Sequence, residues 1–62
     1  MIKVIITSKD GGKSFEVILN IDNDGMQVIA YGLNSTEMLQ RVKLLQEAIP
    51  FAKVEINISG GN

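Results

Sequence analysis

The residues of this chain that could do chemistry fall in two turn-like segments. Asn20-Ile21-Asp22-Asn23-Asp24-Gly25 sets oxygen-bearing side chains at alternate positions ahead of a glycine, as the opening of an EF-hand calcium loop does. The twelfth position of such a loop requires a bidentate glutamate, and here it is Tyr31; the flanks alternate like strands rather than helices. A plain chain reversal accounts for the same residues, because Asn, Asp and Gly tolerate the backbone conformations of tight turns. Gly12-Lys13-Ser14 has the ending of a phosphate-binding loop. The glycine needed five positions earlier is Thr7, however, and a strand follows where a helix N-terminus would have to face the anion. The expectation is therefore no metal and no cofactor.

Nucleophilic catalysis has equally little to work with. There is no Cys or His, and Ser8, Ser14, Ser35 and Ser59 fall at turns and element ends without an evident base. Ser8 with Lys13 could act as a pair only if the amine were desolvated enough to lose its proton. Asp10, Asp22 and Asp24 belong to turns at opposite ends of one strand, too far apart to divide acid and base roles. The sequence thus reads as nonenzymatic, with no small-molecule substrate in evidence.

Charge narrows the partners. Six basic and seven acidic residues give a net charge of -1, and Lys3, Lys9, Lys13, Arg41, Lys43 and Lys53 are scattered among carboxylates. Binding through phosphates requires clustered cations that release counterions, and stacking of bases requires aromatics beside them. Only Tyr31 could stack, since Phe15 reads as core and Phe51 lies between elements, so weak nucleic-acid binding ranks third among the functions considered. No apolar stretch approaches the roughly 20 residues needed to span a bilayer, and the N-terminus lacks a signal-peptide pattern. The expectation is a soluble cytoplasmic protein with no membrane partner. On that reading the triplets Asn34-Ser35-Thr36 and Asn57-Ile58-Ser59 are coincidental matches to a glycosylation signal.

The elements that position these residues follow from periodicity. Residues 2–7 and 14–21 alternate as strands around a glycine-rich turn at 8–13, and residues 26–31 form a third strand after the turn at 22–25. Asn34, with Ser35 as a rival, can cap a helix whose Glu37 reaches back to complete a capping box. Met38, Val42, Leu45 and Ile49 form its core stripe, Leu39 and Leu44 flank that stripe, and Pro50 ends it. Val54, Ile56 and Ile58 alternate with Lys53, Glu55, Asn57 and Ser59 in a last strand, and residues 60–62 read as a frayed tail. The chain is thus one small α+β domain, residues 1–62, of order βββαβ. A right-handed crossover would place the last strand parallel to the first, giving a four-stranded mixed sheet of order 4-1-2-3 with the helix on one face.

The strands are apolar on both sides, and that is the functional clue. A helix can bury Val4, Ile6, Val17 and Leu19, but Ile5 and Ile18 then point to the other face. If the first hairpin pairs residues whose numbers sum to about 23, Ile5 lies opposite Ile18. A two-residue turn at Asn23-Asp24 adds Ile29 and Tyr31 to that outer row, whereas a three-residue turn presents Met26, Val28 and Ala30 instead. The third strand, at an edge, lacks the lysine or proline that blunts unwanted pairing.

Contiguous apolar patches mark interfaces. The sequence accordingly reads as a protein–protein interaction module that binds itself as a homodimer, or a larger partner in the manner of a small phage-type inhibitor, through the outer face or an edge. Ile5, Ile18, Ile29 and Tyr31 are the expected partner-binding residues. The alternative is a designed or minimal scaffold with no biological ligand, favoured by short loops and a capped helix, and disfavoured by low charge content and the bare third strand.

Overall fold

The computed structural model describes residues 1–22 and 25–60, so the turn expected at Asp22-Asn23-Asp24-Gly25 lies partly outside the described residues. Strands β1 (Ile2–Ser8), β2 (Phe15–Ile21) and β3 (Gly25–Leu33) precede helix α1 (Ser35–Ala48), and β4 (Lys53–Ile58) follows it. One sheet of order β3-β2-β1-β4 holds all four strands. β1 runs antiparallel to β2 and parallel to β4. This is the α+β architecture and sheet order expected from the sequence.

The first hairpin takes the register in which paired residue numbers sum to 23, so Val4 lies opposite Leu19 and Ile6 opposite Val17 on one face, and Ile5 opposite Ile18 on the other. Branched side chains at these positions suit a pleated surface, and a slip of one residue would carry the entire buried set to the wrong side. Val4, Ile6 and Val17 are the most deeply buried side chains, and Phe15, Leu33, Met38 and Val42 complete the core.

Asn34 caps α1, with Ser35 the first helical residue. The Glu37 backbone N–H donates to Asn34 Oδ1 at 2.8 Å, and the Asn34 N–H donates to Glu37 Oε1 at 3.0 Å. Two N–H groups left free by helix geometry thereby find acceptors. At the other end the Ile49 N–H still reaches the Leu45 carbonyl at 2.7 Å, and Pro50 prevents a further turn. Along the expected stripe Met38 and Val42 are buried, while Leu45 and Ile49 are half-buried at the end nearer solvent.

The third strand departs from both simple registers. Near the turn it follows the three-residue alternative, with Val28 opposite Ile18 and Met26 opposite Asn20. The register then shifts between Ile18 and Val17, so that Ala30, which that alternative places outside, lies opposite Val17 and packs against the core. A second shift before Phe15 brings Leu33 inward, with Gly32 at φ +67° supplying a backbone conformation that other residues adopt only at a cost. Each extra residue in β3 reverses which side chains face the helix. The fold needs these reversals because Leu33 and Ala30 must meet the core while the residues nearest the turn are set by its length.

Candidate interaction surface

The first of the two turns singled out for chemistry is held by its own hydrogen bonds. In the connection between β1 and β2, the Asp10 carboxylate accepts from Ser8 Oγ at 2.9 Å, from the N–H groups of Lys13 and Ser14 at 3.0 and 2.9 Å, and from Ser14 Oγ at 2.6 Å. Ser8 Oγ also accepts from the Gly12 N–H at 2.8 Å. The Ser8 hydroxyl proton is therefore directed to a carboxylate, not to Lys13, and β2 follows the loop where a phosphate site would need a helix. The first sites of donation, from Ser14, hold the Asp10 carboxyl well below the usual carboxylate range, which makes it a poor proton acceptor. In the second turn, Asp22 pairs with the Met1 ammonium group, and Asn23 and Asp24 lie outside the described residues.

The Asp10 network predicts an acid-side dependence of stability. A carboxyl whose folded value lies below its unfolded value of 3.8 stabilises the fold above that pH. The unfolded chain takes up the proton first as pH falls, so this contribution is lost progressively below about pH 4. Asp10→Asn should remove that part of the slope: thermal unfolding between pH 5 and pH 2 should give a flatter acid limb than the parent protein shows. Equal slopes would mean that the network contributes nothing in solution.

The apolar surface is distributed more widely than the sequence suggested. On the outer face Ile5 and Ile18 are half-buried, and Val28, more than half exposed, continues their row onto β3. Glu55, the partner of Ile5 on β4, ends the row on the other side. Tyr31 follows the inward Ala30 in β3, so alternation places it on the outer face, where it is 77% exposed. Three of the four expected residues thus share this face. Ile29 does not: it sits at the bulge and, with Ala30, Arg41, Leu44 and Leu45, lines a cleft of about 240 Å³ between β3 and α1. Val28 takes the place in the row that the two-residue turn would have given to Ile29. Among the described residues Arg41 is the sole charged group lining the cleft.

A second bare region lies on the helix side. α1 packs chiefly against β2 and β3, and covers β4 less. Val54, Ile56 and Ile58 lie beside Val4, Ile6 and Ser8 in the parallel register, hence on the helix-facing side, yet they are 37%, 57% and 57% exposed. A helix about 10 Å across covers roughly two strands spaced about 4.8 Å apart, so one helix cannot shield a four-stranded sheet. Sequence periodicity assigned these three residues to a face but carried no sign that the face would be left open there. Leu39 and Leu44 on α1 and Phe51 after it are also exposed.

The chain matches no protein-family model, no curated protein and no solved structure. Among the described residues, no helix is long and apolar enough to cross a membrane, and no cluster of three or more acidic residues could hold a metal ion.

Proposed function

We propose that the protein is a nonenzymatic interaction module that associates with a second copy of itself through the outer face of its sheet. The observation that carries this reading is the row Ile5–Ile18–Val28, which crosses three adjacent strands on the side away from the only helix among the described residues. Apolar area is costly to leave in water at roughly 25 cal/mol per Å², and a contiguous row gains more from one apposed surface than scattered residues do. Charge fits a like partner. Lys3 and Lys53 balance Glu16 and Glu55 on that face, so two copies meet without a net repulsion. Sheets of this kind pack face to face about 10 Å apart, and twofold dimers are the commonest assemblies.

Ile18→Lys tests this reading. The side chain is only half-buried by its own chain, so a lysine there can extend into solvent and the monomer should still fold. Sedimentation of the parent protein across a concentration series should show association that Ile18→Lys reduces by one step. An unchanged association constant would remove the outer face from the account.

A further inference from the structure

We infer that β4 is a second self-association surface, which pairs edge to edge with β4 of another copy and continues the sheet across a twofold axis. The inference rests on the reading of the protein as a self-associating module, and adds a different surface and a specific register.

The two edges of the sheet are not equivalent. β3 carries two register shifts and Gly32 at positive φ, so its free edge is irregular and poorly matched to another strand. β4 pairs with β1 through six consecutive residues without interruption, contains no proline, and has no strand on its other edge among the described residues. A regular open edge offers a row of unpaired N–H and C=O groups, which is how strand addition begins. Its helix-side residues Val54, Ile56 and Ile58 are the apolar side chains that α1 leaves bare.

Symmetry and side-chain pattern then select the register. A twofold axis requires two β4 strands to run antiparallel, and facing residues must lie on the same side of the sheet. Every odd sum of paired residue numbers fails, because it sets an apolar residue against a polar one. A sum of 110 sets Glu55 against Glu55 of the other copy, a like-charge pair that opposes association. Sums of 108 and 114 align only one end of the strand, and set Ile58 against Pro50 or Val54 against Gly60. A sum of 112 pairs Ile56 with itself on the axis, Val54 with Ile58 on each side of it, and Glu55 with the amide of Asn57 on the outer face. Within one chain Asn57 Nδ2 already donates to Glu55 Oε2 at 3.4 Å, so this carboxylate has a suitable donor in the same strand type. Pairing uses up the regular edge of both copies, so growth through this edge stops at two chains.

The experiment is done in the Ile18→Lys background, where the outer face no longer contributes. Sedimentation equilibrium should show that this variant still dimerises. Adding Ile56→Lys places two like charges on the axis and should abolish the dimer, as should Ile56→Glu. An equimolar mixture of the two double variants should restore it, since lysine then faces glutamate. Ile56 is more than half exposed in the single chain, so these variants should fold, as amide spectra will show. Ile56→Thr keeps strand preference and supplies a second reading: the dissociation constant should rise roughly tenfold, because both copies lose apolar contact at once. A dimer that survives Ile56→Lys, or a mixture that stays monomeric, overturns the inference. If Ile18→Lys alone is already monomeric, the β4 surface is excluded and the outer-face reading stands; if Ile18→Lys changes nothing while the Ile56 variants dissociate, the outer face is excluded and β4 stands.

Discussion

Ile6→Ala should remove about 2–5 kcal/mol of folding stability, a large share of what so short a chain has. Ile6 is 1% exposed, stands on the central β1 opposite Val17, and belongs to the cluster formed with Val4, Phe15, Met38 and Val42. Truncating a buried isoleucine to alanine costs about 2–5 kcal/mol, since the lost transfer energy is compounded by a cavity that the surroundings fill incompletely. A domain of this length has roughly 3–9 kcal/mol to lose, and without cysteine it has no disulfide to offset the deficit. Ile6→Val, which removes one methylene, should cost only about 0.5–1.5 kcal/mol and keep the fold. Urea unfolding at one fixed protein concentration checks both, because association raises apparent stability. A loss below about 1 kcal/mol for Ile6→Ala would show that the core can collapse around the gap.

The second large effect is expected at Gly60→Ala. Gly60 has φ +76°, and a Cβ there would overlap the carbonyl oxygen of Lys9. The close approach arises because the end of β4 is tied to the β1–β2 connection: the Gly11 N–H donates to the Ser59 carbonyl at 2.9 Å, and the Ser59 N–H donates to the Ser8 carbonyl at 2.8 Å. An alanine pays about 1–2 kcal/mol for the left-handed backbone and must in addition push β4 away from the loop. Gly32→Ala provides the comparison, since its φ is +67° but the space around it is open. Gly60→Ala should therefore be the more destabilising of the two by about 1 kcal/mol or more, the usual scale of overpacking. Equal losses in thermal or urea unfolding would mean that β4 does not hold this contact in solution.

That contact also bears on what could be read from the sequence. Of the expected frayed tail, Gly60 is described and lies against Lys9 and Asp10, while residues 61 and 62 lie outside the described residues. A glycine pair after a strand looks like a loose end, because nothing in the sequence reveals a backbone approaching from 50 positions earlier. The first hairpin was legible to the residue, since alternation of period two in both β1 and β2 allows one register that buries Val4, Ile6, Val17 and Leu19 together. The helix cap was legible for a local reason, as Asn34 and Glu37 satisfy each other within one turn.

The third strand was not legible. Its register depends on turn length near Gly25, and then on the demand of the core for Ala30 and Leu33, which is a tertiary requirement. Ile29 was consequently expected on the outer face and lies instead beside Leu44 and Leu45. The bare face of β4 was hidden for a related reason: Val54, Ile56 and Ile58 alternate like any buried strand, and only the placement of α1 over β2 and β3 decides that they are uncovered.

Both proposed surfaces follow from the same mismatch between one helix and a four-stranded sheet that is apolar on two sides. Sedimentation equilibrium of the unmodified chain, from micromolar to millimolar concentration, tests it most directly. The mass should rise with concentration from 6.8 kDa to that of two chains or more. A mass of one chain throughout that range would contradict it.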